Sequence, residues 1–333
     1  MVSMKDIAAK CGVSVATVSK ALNNHSDIGE ETKKTICEMA QSMGYFPNSS
    51  ARALKTKRTY NIGVLFMDES QSGLTHDYFA RVLDSFKRYA EQSGYDITFI
   101  NAQSQNMTYL EHSRYRGVDG VVIACVDFND PEVINLINSD IPVVTIDHVF
   151  DNRIAVVSDN IGGMRELVEY IYKCGHRKIA YIHGDDTAVT KNRVASFYNT
   201  LSSLSVEVPD EMVLASAYRN PDHAGMLTKK LMEAEDRPTC ILYPDDYSAI
   251  GGISMLKEMG LSVPEDVSVV GYDGLYVSRI MTPKLATYEQ DTEEIGKIAA
   301  RSLIRLINEP KATLIEKIVV PGKVVEGESV SKL

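Results

Sequence analysis

Ser3-Met4-Lys5-Asp6-Ile7-Ala8-Ala9-Lys10-Cys11-Gly12-Val13-Ser14-Val15-Ala16-Thr17-Val18-Ser19-Lys20-Ala21-Leu22 reads as two short helices with one tight turn between them. Ser3 is placed to cap the first helix, and Asp6, three residues on, can return a hydrogen bond to the backbone of the cap. Ile7, Ala8 and Cys11 then face inward, and Gly12 ends the helix. Ser14 offers a second cap, after which Val15, Val18 and Leu22 recur at spacings of three and four. A third helix is predicted from Glu30 to Met43, with Thr32, Ile36, Met39, Ala40 and Met43 as its inner stripe and Gly44 as its stop. Three helices with a glycine in the first turn fit a helix-turn-helix.

In such a unit the second helix enters the major groove of DNA, its first turn facing base edges while its neighbours hold phosphates. The side chains presented are Ser14, Val15, Ala16, Thr17, Ser19 and Lys20. Hydroxyls at a helix N-terminus suit phosphate oxygens, Lys20 reaches phosphate or guanine, and Val15 and Ala16 can meet a thymine methyl. The same stretch is also satisfied by a capped surface helix of ordinary small residues. Tyr45-Phe46-Pro47-Asn48-Ser49-Ser50-Ala51-Arg52-Ala53-Leu54 follows the third helix, and Leu54 has no obvious core to join in so polar a linker. A leucine there can wedge between base steps in the minor groove and kink the duplex; the alternative is a hydrophobic anchor for a connector.

Charge separates this head from the rest of the chain. Residues 1–58 hold nine Lys or Arg against five Asp or Glu, a surplus of four, so the other 275 residues carry −14 within a whole-chain charge of −10. A basic head on an acidic body directs a polyanion to the head.

From Tyr60 onward, short apolar runs alternate with helical patterns. Strands are predicted at Ile62–Phe66, Ile97–Ile100, Val121–Ala124, Val143–Ile146, Ile179–His183, Cys240–Tyr243 and Val267–Tyr272, and helices at Tyr78–Gly94, Ile161–Cys174, Val189–Leu204, Tyr247–Met259 and Asp291–Ile307. Repeated βαβ units imply parallel sheets, and this many strands implies two α/β lobes. Acids gather at the C-terminal ends of these strands: Asp68 and Glu69, Asp127, Asp147, Asp185 and Asp186, Asp245 and Asp246, and Asp273. Ligands of open α/β sheets bind beyond those ends. Paired carboxylates, the bidentate fork of Arg193 and a ring cover from Phe79, Tyr218 or Tyr276 suit a polyol such as a sugar. Asp246 and Asp186 could equally cap the helices after them.

Several classes are disfavoured. Cys11, Cys37, Cys125, Cys174 and Cys240 are scattered without a C-x-x-C pair, which points to reduced thiols and no metal. No phosphate-binding loop, nucleophile elbow or H-E-x-x-H stands in the chain, so an enzyme is not expected, nor a cofactor. No apolar run approaches the length of a membrane span and Met1–Lys5 opens no signal core, so the expected location is the cytoplasm, without membrane contact.

The ordered run Asp6-Ile7-Ala8, Gly12-Val13-Ser14, Ala16-Thr17-Val18-Ser19-Lys20, Leu22-Asn23, Gly44-Tyr45, Pro47-Asn48, Ala51-Arg52 and Leu54 closely resembles the lactose-repressor (LacI/GalR) family. The similarity continues through Val118-Asp119-Gly120-Val121-Val122, Ile141-Pro142-Val143-Val144, Asp159-Asn160, Gly175-His176-Arg177-Lys178-Ile179-Ala180 and Val263-Pro264-Glu265-Asp266-Val267-Ser268-Val269-Val270-Gly271-Tyr272-Asp273, and so covers nearly the whole chain. The resemblance implies a helix-turn-helix over 1–46 and a hinge helix and linker over 47–59. It further implies a periplasmic-binding-protein-like body with a first lobe from 60–158 and 290–319 and a second from 159–289 and 320–333. The function it implies is sequence-specific transcriptional repression, with a homodimer on a near-palindromic DNA operator under control of a small-molecule effector. That effector is a sugar or sugar derivative, the alternative being a nucleobase or sugar phosphate acting as corepressor. DNA contact is implied at Asn23, Tyr45, Asn48, Ala51, Arg52 and Leu54 beside the reading helix, and effector contact at Phe79, Asp147, Arg193, Tyr218, Asp245, Asp273 and Gln290. The chain departs from the family's habits with Lys20 and His148 where Arg is frequent, Asp245 where Asn is frequent, Ser196 where Gly is usual, and a longer polar Ser70–Asp77 stretch.

Overall fold

The computed structural model describes residues 2–46, 58–67, 73–101 and 106–333. They form two compact units, Met1–Thr59 and Tyr60–Leu333. Local chemistry sets the helices of the first: α1 (Met4–Cys11), α2 (Val15–Leu22) and α3 (Glu30–Ser42). Ser3 and Asp6 close a capping box, with Ser3 N donating to Asp6 Oδ2 at 2.8 Å, and Gly12 ends α1 in the left-handed region at φ 65°. Ser14 Oγ accepts from Thr17 N at 3.1 Å and opens α2. Ile7, Ala8, Val18, Ala21, Ile36 and Ala40 fill the core between the three helices. One inward assignment is corrected: Thr32 lies in water while the neighbouring Lys33 turns its stem inward; Val15, expected to be presented outward, is 42 % exposed. A first-turn side chain at 15 points away from the core that Val18 enters, and a stem of four methylenes covers more apolar surface than a threonine.

The second unit alternates strands and helices: β1 (Asn61–Phe66), α4 (Asp77–Gln92), β2 (Asp96–Ile100), α5 (Tyr109–Arg116), β3 (Gly120–Ala124), α6 (Pro131–Ile137), β4 (Val143–Ile146) and β5 (Ile154–Ser158). The chain then enters α7 (Asn160–Lys173), β6 (Ile179–His183), α8 (Ala188–Ser203), β7 (Val213–Ala215), α9 (Pro221–Glu233), β8 (Cys240–Leu242), α10 (Asp246–Glu258), β9 (Ser268–Asp273), α11 (Tyr276–Ile280) and β10 (Ala286–Glu289). It ends with α12 (Thr292–Asn308), β11 (Lys317–Val320) and β12 (Lys323–Val325).

Two sheets result, β11-β5-β4-β3-β1-β2 and β12-β10-β9-β8-β6-β7, parallel throughout except where β12 runs against β10. Strands sandwiched between helices must be apolar on both sides, and β3, β4, β5 and β8 are buried along their whole length. In the first lobe α4 and α12 cover one face around Val82, Phe86, Leu303 and Ile307, while α5 and α6 cover the other. The second lobe repeats this plan, with α7 and α8 opposite α9 and α10. The backbone leaves the first sheet after Ser158, returns from the second after Glu289 to pack α12, and crosses again between β11 and β12. Val320, which the expected boundary gives to the second lobe, is the last residue of β11 in the first sheet.

Close approach of α4 and α12 depends on Gly296, where an added Cβ would lie 2.2 Å from the Val82 carbonyl oxygen. Gly296→Ala should therefore destabilise the protein by about 1–3 kcal/mol, read as a lower midpoint in urea, because the obstacle is backbone and cannot rotate away.

Candidate functional site

Arg193 sits inside α8, 3 % exposed, where a guanidinium needs hydrogen-bond acceptors to offset its loss of water. Its Nε donates to Asn160 Oδ1 at 2.8 Å and its Nη1 to the Pro244 carbonyl at 3.1 Å, while the guanidinium carbon stands 3.6 Å from the centre of the Tyr272 ring. Among the described residues no acceptor engages Nη2. Gln290, at the return crossing, donates from Nε2 to Asp273 Oδ1 at 2.6 Å. Asp147 faces them from the first lobe, accepting from the Tyr78 hydroxyl at 2.7 Å and from Ser158 N at 3.1 Å.

The electrostatics tie these groups into one cluster. Burial pushes the Asp273 carboxyl up to about 7, with Arg193 pulling it down and Asp245 and Asp147 adding to the rise. Burial also raises Asp147 against the pull of its Tyr78 and Ser158 hydrogen bonds and of Arg193. Tyr78 is raised in turn by burial and by Asp147. Asp147 follows β4 directly and Asp273 is the last residue of β9, and both hold positive φ, 58° at Asp147 and 101° at Asp273. Left-handed backbone is costly for a residue with a Cβ and is characteristic of positions that aim a side chain at a ligand.

The remaining expected effector residues divide. Phe79 packs among Phe66, His76 and Tyr78 at the edge of the first-lobe core. Tyr218 lies 6.0 Å from Arg193, its hydroxyl paired with Thr190 Oγ1 at 2.8 Å. Asp245 is 1 % exposed, and its oxygens are taken by Ser248 N, Ser248 Oγ and Arg219 N. It is the cap of α10, a role that sequence reading weighed for Asp246. Asp246 instead accepts from Leu275 N at 2.6 Å and Thr287 Oγ1 at 2.7 Å, bracing β9 and β10. Asp186 pairs with Lys191 while Thr187 caps α8, and Tyr276 is 64 % exposed on α11. Asp127 accepts from Asn129 N within its own loop. Asp68 and Glu69 lie outside the described residues.

Sequence reading missed four polar side chains of the cluster: Asn160, Tyr78, Tyr272 and Ser158. Asn160 belongs to the Asp159-Asn160 motif, but nothing local tells that it meets Arg193. The Ser158 hydroxyl, 3 % exposed beside Asp147, has no hydrogen-bond partner among the described residues. Two further contacts fasten the lobes to each other. The Tyr247 hydroxyl donates to Asp77 Oδ2 at 2.8 Å, and Arg219 Nη2 donates to the Thr75 carbonyl at 3.3 Å.

In the helical unit, Ser14, Val15, Ala16 and Lys20 are exposed along α2, Thr17 and Ser19 are half-buried, and Asn23 is exposed just beyond the helix. Tyr45 packs against the three-helix core. Asn48, Ala51, Arg52 and Leu54, with the rest of the expected hinge helix, lie outside the described residues. Among those described, no group of three His, Cys, Asp or Glu could hold a metal ion, and no helix is long and apolar enough to cross a membrane.

Residues 3–48 match the family model described as bacterial regulatory proteins, lacI family, and residues 168–330 match a periplasmic binding protein-like domain. An HTH-type transcriptional repressor PurR of Mannheimia succiniciproducens is 30 % identical over 340 positions that span 100 % of both chains. A probable HTH-type transcriptional repressor ExuR of Bacillus subtilis is 30 % identical over 337 positions, covering 100 % of this chain and 99 % of its own. Among solved structures, the lac repressor dimer bound to operator and the anti-inducer ONPF is similar with a TM-score of 0.83 at 23 % identity, over 99 % of each chain. The transcriptional regulator CelR in complex with cellobiose is similar with a TM-score of 0.71 at 23 % identity, over 99 % of this chain and 100 % of its own. Both structural likenesses are likenesses of fold.

The raised Asp273 carboxyl has a measurable sign. The folded chain binds this proton more tightly than the unfolded chain, so Asp273 is neutral to stability below its ordinary value of 3.8 and increasingly unfavourable as pH rises to about 7. Asp273→Asn should raise the melting temperature at pH 8, with the gain disappearing by about pH 4. A constant difference across that range would mean the carboxyl is not held protonated.

Proposed function

Because the chain belongs to the lacI family of bacterial regulatory proteins, we propose that it is a dimeric repressor whose α2 reads the major groove of a near-palindromic operator, governed by an uncharged sugar or polyol bound between its lobes. The observation that carries the effector reading is the meeting of Asp147, Asp273, Gln290 and Arg193 where strand ends of both sheets converge. Adjacent hydroxyls donate to a carboxylate and accept from a guanidinium at once, and the half-buried faces of Phe79 and Tyr218 suit the apolar side of a sugar ring. A buried carboxyl that keeps its proton can donate as well as accept, which suits the hydroxyls of an uncharged ligand. His148, where the family often has Arg, stacks on Phe128 at 4.1 Å, and burial disfavours its charged form, so it adds no fixed cation.

The same arrangement supplies a coupling. A ligand bridging Asp147 and Asp273 alters the balance between lobe positions joined by the Tyr247–Asp77 and Arg219–Thr75 hydrogen bonds. In a dimer, lobe movement changes the separation of the two Asn48–Leu54 segments and with it their fit to DNA.

Two measurements test this reading. A thermal-shift screen against neutral sugars should give a ligand that raises the melting temperature; Arg193→Ala should abolish that shift and the ligand's effect on DNA affinity while operator binding persists. An Arg193→Ala protein that keeps its ligand response would place the effector elsewhere. Leu54→Ala should weaken binding to an operator by at least about tenfold while leaving random duplex within about twofold, since wedging between base steps needs the fitted complex.

A further inference from the structure

The positive surplus of the N-terminal head is not where the reading helix is. Residues 1–46 contain five lysines (Lys5, Lys10, Lys20, Lys33, Lys34) and five acids (Asp6, Asp27, Glu30, Glu31, Glu38), so the three-helix unit is balanced, and the positive surplus lies in Arg52, Lys55, Lys57 and Arg58. Lys20 is the only ionisable residue of α2. Its ammonium forms an ion pair with Asp27 Oδ2, from the segment that joins α2 to α3. Both side chains stand largely in water, 47 % and 54 % exposed, and no core residue depends on either. Exposed pairs of this kind add little to folding, so the effect of Asp27 falls on what Lys20 can touch. Two other polar contacts lie along this surface. Ser14 Oγ meets Thr17 Oγ1 at 2.8 Å, and Asn23 Nδ2 donates to the Ser19 carbonyl at 2.6 Å.

We infer that Asp27 is a specificity-determining residue: it holds Lys20 so that the lysine serves a base edge in the fitted complex and is withheld from indiscriminate phosphate contact. A lysine ammonium has three protons on a long, freely rotating stem, and unheld it follows the nearest phosphate whatever the sequence. With one proton on Asp27, two remain for an acceptor such as guanine O6 or N7, and the pair survives that contact. Contact with phosphate must either break the pair or bring the carboxylate against a second anion. The inference rests on the reading of α2 as the DNA-reading helix, and it predicts a loss of discrimination rather than a loss of binding when Asp27 is neutralised.

The test uses the full chain. Wild-type protein first enriches a preferred duplex from a random double-stranded library. Affinity for that duplex and for a shuffled duplex of equal length is then measured from about 50 to 200 mM KCl for wild type, Asp27→Asn, Lys20→Ala and the double variant. Asp27→Asn should tighten binding to the shuffled duplex by about threefold and steepen its log K against log salt slope by about 0.9, one added phosphate contact. The preferred duplex should gain less, so the ratio of affinities falls. In the Lys20→Ala background Asp27→Asn should leave that ratio unchanged. Equal gains on both duplexes, an unchanged slope, or the same fall in ratio without Lys20 would each overturn the inference, because each describes a diffuse charge effect or none. A wild-type chain that enriches no duplex removes the DNA-reading role of α2 itself, a failure distinct from that of Asp27.

Discussion

A guanidinium buried in an α/β lobe organises much of the rest. Leaving water is expensive for Arg193 unless each direction it faces is answered, and the answers come from separate parts of the chain. Asn160 opens α7, Pro244 lies between β8 and α10, and Tyr272 is the last residue but one of β9, before Asp273. Fixing one side chain therefore fixes the mutual placement of three strand ends. Gly163 on α7 leaves room for the Tyr272 and Tyr288 rings, since a Cβ there would come 2.5 Å from the Tyr288 ring and 2.7 Å from the Tyr272 hydroxyl.

The acids at the strand ends have divided among unlike tasks. Asp147 and Asp273 remain at the crevice, at the expense of desolvation and of left-handed backbone. Asp245 caps α10 and holds the backbone of Arg219, one of the two side chains that fasten the lobes, while Asp246 braces β9 to β10. One dipeptide thus joins a helix start, a lobe contact and the ends of two interior strands.

What could be read from the sequence was local. The Ser3–Asp6 box, the Ser14 cap and the Gly12 stop involve residues within four positions of one another, and their chemistry does not wait on the fold. Some strands buried on both faces were legible as largely apolar runs, as at Gly120–Ala124 and Val143–Ile146. The strands that escaped notice are β5, which comes after β4 without an intervening helix, and short or edge strands such as β7, β10, β11 and β12. Ala286–Glu289 carries too little apolar surface to announce itself. At the site, residue types were visible but partners were not. The bond from Arg193 to Asn160 spans 33 positions, and that from Tyr78 to Asp147 spans 69. The capping role weighed for Asp246 falls to Asp245 because the helix begins one residue earlier than a count of apolar spacing would place it.

The late strands β11 and β12 complete opposite edges of two different sheets within nine residues, Lys317 to Val325. During synthesis neither lobe can acquire its last strand until more than nine tenths of the chain has left the ribosome. The three-helix core, drawn from the first 46 residues, has no such wait. A product cut short before Lys317 would keep the three-helix core and leave one strand missing from each sheet.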